Sequence, residues 1–127
     1  MLNKVLVVDD SEPLHQIYKV TFRRYKCETI TALRREEGLE KLTEHAGVDL
    51  ILLDMNMLLS RMSGLEFIKK VKAQEAYGNI PIIIVTTRGE DYPTEALALA
   101  DVNLEKPFIS REVHSLIEKL VPQAVSA

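Results

Sequence analysis

Charged or hydroxylic residues stand directly after the apolar runs of this sequence: Asp9-Asp10 after VLVV at 5–8, Asp54 after LILL at 50–53, Thr86 after IIIV at 82–85, and Lys106 after a brief run from Val102. A carboxylate that ends a fully apolar strand marks the carboxyl edge of an open α/β sheet, where such sheets bind their ligands. Three carboxylates on one edge do not all ionise comfortably without a cation. A small set of hard oxygen donors suits Mg²⁺, which keeps several waters and bridges carboxylate to phosphate. With the Lys106 ammonium and the Thr86 hydroxyl beside it, Asp54 has what phosphoryl transfer to a carboxylate requires. That is positive charge over the equatorial oxygens and a nucleophile in line. Taken singly, each residue has a plainer reading: Asp9 and Asp10 as turn and cap residues, Asp54 as a loop residue, Thr86 and Lys106 as common surface types. Their joint placement at successive strand ends favours the chemical reading.

Composition narrows the classes. A chain of 127 residues, 46% hydrophobic and 28% charged, has the ordinary make-up of a soluble globular domain. We expect one domain over residues 1–127, with its core at about 3–121 and a short C-terminal tail after Pro122. The formal net charge of -3 speaks against direct nucleic-acid binding, which relies on excess Lys and Arg. Cys27 is the sole cysteine, which excludes an intrachain disulfide framework or thiolate metal cage. No apolar run reaches membrane-spanning length, and the first one meets Asp9 and Asp10, unlike a signal peptide. The expectation is a cytoplasmic protein without a membrane partner. His15, His45 and His114 fall on separate expected helices without ligand spacing and read as surface or partly buried structural residues.

The elements that must hold these groups follow from the hydrophobic pattern. Residues 4–10 form a short β-branched run stopping on the two aspartates. Ser11 is placed to cap a helix and Pro13 suits its first turn. Leu14, Ile17, Tyr18, Thr21, Phe22 and Tyr25 keep helical spacing, so that helix is expected to reach about Tyr25. Residues 27–32 alternate as a second strand. Residues 36–44 form a more polar helix with Leu39 and Leu42 inward and Gly47 near its end. Leu50 to Leu53 are too short a run for a lone helix and suit a strand buried on both faces. Ser63 or Gly64 opens a third helix with Leu65, Ile68 and Val71 on one face, ended by Tyr77-Gly78-Asn79. Residues 80–87 are another apolar strand and 88–92 a polar loop. Pro93 can only open a helix, which leaves a short one at 94–100. Residues 102–105 are a last brief strand. Ser110 is then expected to cap a closing helix with Val113, Leu116, Ile117 and Leu120 inward, stopped by Pro122. Strands alternating with helices in this way, five of each, mean a parallel sheet covered on both faces, an α/β fold.

The motifs VLVVDDS at 5–11, LILLDMNM at 50–57, MSGLEFIKK at 62–70, IPIIIVT at 80–86 and KPF at 106–108 together resemble the receiver domain of two-component response regulators, the CheY-like family. The resemblance spans roughly residues 3–121. It implies a flavodoxin-like, doubly wound five-stranded sheet in which Asp54 accepts a phosphoryl group from the phosphohistidine of a histidine kinase or phosphotransfer protein. It also implies Mg²⁺ held by Asp10, Asp54 and the main-chain carbonyl of Asn56, with Asp9 acting through water. Thr86 would hydrogen-bond the phosphoryl group, Lys106 would pair with it, and the Lys106–Pro107 bond would be cis. Such a domain signals through protein contacts and is no turnover enzyme, beyond its own phosphorylation and dephosphorylation. Its downstream partner is a protein the sequence does not name, and its state is a monomer or a phosphorylation-dependent dimer.

Several positions depart from the family pattern. Leu58-Leu59-Ser60-Arg61 lengthen the loop between Met57 and Met62, and the family's proline is missing. We expect the two leucines to cap the core rather than to meet a partner. The segment from Thr86 to Lys106 is shorter than usual. Asn103 stands where an aromatic residue normally reports phosphorylation, Leu99-Ala100 replace Gly-Ala, and Thr87 is bulkier than the usual Ala or Ser. Asn56 and Arg88 flank the path of a hydrolytic water and by resemblance tune the phosphoryl lifetime. The expected output therefore runs through the loops at 58–62 and 88–94 instead of an aromatic swing. The alternative reading is a receiver-like interaction module that is not phosphorylated. A Mg²⁺-dependent phosphohydrolase fits less well: Asn56 stands where a second acid is usual, and no segment is left for a substrate cap.

Overall fold

The computed structural model describes residues 2–125. The chain runs β1 (Lys4–Val8), α1 (Glu12–Phe22), a 3-10 turn (Arg23–Tyr25), β2 (Glu28–Ala32), α2 (Arg35–Glu44), β3 (Leu50–Asp54), α3 (Gly64–Ala73), β4 (Ile82–Thr87), α4 (Thr94–Leu99), β5 (Val102–Lys106), α5 (Ser110–Leu120) and a second 3-10 turn (Pro122–Val125). The strands form one parallel sheet in the order β2-β1-β3-β4-β5. This is the flavodoxin-like arrangement that the alternation of strands and helices implied.

Side-chain alternation along the strands splits the core into two layers. Leu6, Val8, Ile51, Leu53, Ile82 and Ile84 pack with Leu42, Phe67, Ile68, Val71 and Ala96 of α2, α3 and α4. Val5, Val7, Leu50, Leu52, Ile83 and Val85 pack with Tyr18, Phe22, Val113 and Ile117 of α1 and α5. Leu50 to Leu53 are at most 1% exposed, so β3 is the strand buried on both faces. Burying each such side chain contributes about 1.5–3 kcal/mol. Gly38 lets α2 lie close on β1, because a Cβ there would sit 2.9 Å from Val8 Cγ2.

The structure corrects several local expectations. Ile17, on the expected stripe of α1, is exposed, while His15 is buried. The first helix tightens to 3-10 geometry at Arg23 and ends on Lys26 in the left-handed region at φ 55°. The third helix ends at Ala73, not at Tyr77-Gly78-Asn79. Lys72 Nζ donates to the carbonyls of Gly78 and Ile80 and so folds residues 74–80 back as turns. Ser63 does cap α3, in a reciprocal box with Glu66. Ser110 does not cap α5. It is the first helical residue, its hydroxyl pairs with Thr21 Oγ1 at 3.0 Å, and Glu112 Oε1 accepts the Ile109 N–H instead. The expected tail is partly built into the fold, since Val121 and Ala124 are buried in the α1–α5 layer. Met1, Ser126 and Ala127 lie outside the described residues.

Candidate functional site

Register places the acidic residues. Val8 pairs with Leu53, so one step further Asp9 stands level with Asp54, at the crevice where the strand order reverses. Carboxylate oxygens of Asp9, Asp10 and Asp54 all lie within 4.8 Å of one another. Asp9 and Asp54 are buried and Asp10 is exposed. Lys106, at the end of β5, reaches across with its ammonium 3.3 Å from Asp54 Oδ2 and 3.4 Å from Asp9 Oδ2. The Lys106–Pro107 peptide is cis. Four of the residues singled out in the sequence therefore meet: Asp9, Asp10, Asp54 and Lys106.

Backbone donors orient both buried carboxylates. Asn56 N–H donates to Asp54 Oδ1 at 2.9 Å, and Ser11 N–H donates to Asp9 Oδ1 at 2.9 Å. Burial pushes the Asp54 carboxyl up to about 6, with Asp9 adding to the rise and the Asn56 N–H and Lys106 opposing it. Burial by itself would lower the Lys106 ammonium, but Asp54 and Asp9 more than reverse that, and it stands above its ordinary value. The cluster sets three carboxyl groups against the one ammonium of Lys106. All donors are hard oxygens, two of them buried, which fits a small divalent cation.

Thr86 is buried at the same sheet edge, one residue past Val85, the β4 partner of Asp54. Its Oγ1 donates to Asn103 Oδ1 at 2.9 Å. Thr87 and Arg88 are exposed, and Thr87 N–H donates to Glu90 Oε1. Asn56 is exposed beside Asp54.

Three residues near the site carry weight that sequence reading missed. Arg35 is 4% exposed, and its guanidinium donates to the Asp54 main-chain carbonyl at 3.0 Å and the Met62 carbonyl at 2.9 Å. A basic residue opening a helix opposes the helix dipole, and that conflict is the one signal that pointed to a tertiary partner. His15 Nε2 lies 2.7 Å from the Asp9 carbonyl, which explains its burial. Tyr18 is fully buried between Phe22 and Phe108, its hydroxyl without a hydrogen-bond partner among the described residues. Burial, then the charges of Asp9 and Asp54, push its phenol far above the ordinary range.

The lengthened loop also departs from expectation. Leu58 and Leu59 do not cap the core; they are 90% and 65% exposed. Arg35 N–H donates to Ser60 Oγ, and Glu36 Oε1 accepts from the N–H groups of Arg61 and Met62. With the loop's far limb pinned over the start of α2, its tip is turned outward.

Among known proteins, the sequence matches the family described as response regulator receiver domain over residues 5–118. It is 36% identical over 123 residues to the chemotaxis protein CheY homolog of Campylobacter jejuni, an alignment covering 93% of this chain and 92% of that protein. The crystal structure of chemotaxis protein CheY4 of Vibrio cholerae superposes with a TM-score of 0.81 at 32% identity, covering 95% of this chain and all of the other (100%). NtrX from Brucella abortus, 23% identical, shares the fold with a TM-score of 0.85 over 98% of this chain and 28% of its own. Among the described residues, no helix is long and apolar enough to cross a membrane. Matched along 5–118 and nearly end to end by relatives of its own size, the chain belongs to the CheY-like receiver domains of two-component response regulators.

Proposed function

We propose that Asp54 accepts a phosphoryl group from a phosphohistidine of a histidine kinase or phosphotransfer protein, and that the chain passes the signal on through protein contacts. The observation that carries this reading is the convergence of Asp9, Asp10 and Asp54 within 4.8 Å, with Lys106 bridging two of them. An ionised Asp54 oxygen attacks phosphorus, forming an acyl phosphate. The phosphorus–nitrogen bond breaks and its electron pair returns to the donor imidazole. Ionisation is available at neutral pH, since the carboxyl is raised only to about 6. Asn56 N–H fixes one carboxylate oxygen, and Lys106 is within reach of the incoming phosphoryl oxygens. Asp9, Asp10, Asp54 and the Asn56 carbonyl are the groups to hold Mg²⁺, which supplies positive charge to those oxygens when bound. Thr86 is assigned to the phosphoryl group, Asn56 and Arg88 to the path of hydrolytic water, and Thr87 to crowding the approach to Asp54.

The Thr86–Asn103 bond gives the alternative, an interaction module without phosphorylation, its one specific support. Incubation with acetyl phosphate and Mg²⁺, read by intact mass, decides between them. A Mg²⁺-dependent adduct on wild type that is lost in Asp54→Ala and Asp10→Ala is expected. A folded wild-type chain that takes no adduct would overturn the proposal and leave the interaction module.

A further inference from the structure

We propose that Asn103 is a positioning residue for Thr86: it holds the single hydroxyl proton of Thr86 while Asp54 is unmodified, so phosphorylation proceeds by exchange of that hydrogen bond. The inference rests on the phosphoacceptor reading above and goes further, naming what the phosphoryl group competes with. A threonine hydroxyl has one proton to donate. Here that proton is committed to Asn103 Oδ1 at 2.9 Å, and the threonine is 2% exposed, so water has little access to replace the partner. The pairing follows from register. Thr86 pairs with Glu105, which puts Asn103 diagonally across on the same face of the adjoining strand. A phenylalanine or leucine side chain at that position would have no oxygen to accept the proton, and the hydroxyl would be free to turn. The amide oxygen is a neutral acceptor, whereas a phosphoryl oxygen is charged and accepts more strongly. The exchange is therefore favourable once the phosphoryl group is present, but Asn103 opposes it at the start.

Asn103 is half-buried and borders a surface groove of about 410 Å³ with Glu105, Arg111, Glu112, Ser115 and Leu116. Loss of its donor on exchange changes the surroundings of its side-chain amide, which makes the event observable without altering the chain.

The experiment uses limiting acetyl phosphate with Mg²⁺ and measures the acyl-phosphate fraction by intact mass in wild type, Asn103→Leu, Thr86→Val and the double variant. Asn103→Leu, near in volume but unable to accept, is expected to raise the fraction about 3- to 10-fold, the worth of one neutral hydrogen bond. In the Thr86→Val background the same substitution is expected to change nothing, because no proton is left to compete for. A residue that only satisfied a buried hydroxyl would lower stability without this dependence on Thr86. The second measurement needs no variant: the Asn103 side-chain amide resonance of wild type is expected to shift on phosphorylation. Equal fractions in wild type and a folded Asn103→Leu, an effect that persists without the Thr86 hydroxyl, or an unmoved amide resonance would each overturn the inference while leaving the phosphoacceptor reading intact. A wild type that takes no phosphoryl group at all would overturn both.

Discussion

Residues 55–63, which lead from Asp54 to α3, are tied to a neighbouring helix. Ser60 and Met62 bond to Arg35, and the N–H groups of Arg61 and Met62 bond to Glu36, both at the start of α2. Residues 88–93, which lead from β4 to α4, close on their own turn instead. Thr87 N–H donates to Glu90 Oε1, Glu90 N–H donates back to the Thr87 carbonyl, and Gly89 takes φ +83°. A loop whose backbone is paired with a helix moves only when that helix moves or the pairs break. A loop that satisfies itself can shift as a unit. The long insertion beside Asp54 is thus held by polar pairs to α2, and the segment after Thr86 by its own turn and by Tyr92 against the core.

The largest expected effect falls on Asp54, from which the loop tied to α2 departs. Asp54→Asn is expected to take no phosphoryl group and yet to be the more stable protein at pH 7. The folded carboxyl is raised from 3.8 to about 6, chiefly by burial. Its ionisation costs the folded state more than the unfolded chain. Stability is therefore highest below the unfolded value and falls as pH rises through about 6. The difference is worth about 3 kcal/mol above that range, or roughly 10–15 °C in Tm. Melting curves without divalent cation, from pH 3 upward (roughly), should show the gap between variant and wild type opening with pH. A gap of the opposite sign would mean that Lys106 and the Asn56 N–H outweigh burial.

Next comes the clamp. Arg35→Met keeps the aliphatic stem but removes the guanidinium bonds to the Asp54 and Met62 carbonyls. A loss of about 1–3 kcal/mol is expected. Hydrogen exchange should quicken at the Arg61 and Met62 amides and not at Glu90. Equal protection in both loops before and after the change would remove the distinction between them. Glu36→Gln is a smaller cut, on the order of 1 kcal/mol or less, because the site is partly open to solvent. The Met62 N–H, more than the others, holds the Glu36 carboxyl below its ordinary value. A depressed acid contributes its stability above the unfolded value and loses it as pH falls through the folded one. The Tm difference between wild type and Glu36→Gln should accordingly close below the normal glutamate range.

How far the sequence could be read depended on where the interactions were local. The apolar runs and their terminal charges gave the strands, the sheet and the meeting of Asp9, Asp10, Asp54 and Lys106. Each follows from period and strand direction alone. Ser63 was legible as one of two residues that could open α3, since a cap lies within one turn; its reciprocal bond with Glu66 came from the structure. Arg35, His15 and the Ser110–Thr21 pair were not, because their partners are main-chain or side-chain atoms far along the chain that no local pattern names. The Asn103 position was recognised as altered, but its bond to Thr86 required the register of β4 and β5. Leu58 and Leu59 misled because two leucines suggest burial, and nothing in their own neighbourhood reveals that Arg35 and Glu36 anchor the loop from the other side.

Those leucines supply the smallest expected effect, and it tests the loop tied to α2 most directly. At 90% and 65% exposure they contribute almost nothing to the core, and the loop's fixed geometry comes from Ser60, Arg61 and Met62. Leu58→Ser with Leu59→Ser should leave stability within about 0.5 kcal/mol of wild type and leave exchange at Arg61 and Met62 unchanged. A larger loss would mean that the leucines are covered in solution. The dependence of Tm on protein concentration then separates the two ways that can happen. A second copy on the leucines makes the wild-type Tm rise with concentration and the variant's stay level, whereas packing within one chain leaves both independent of it.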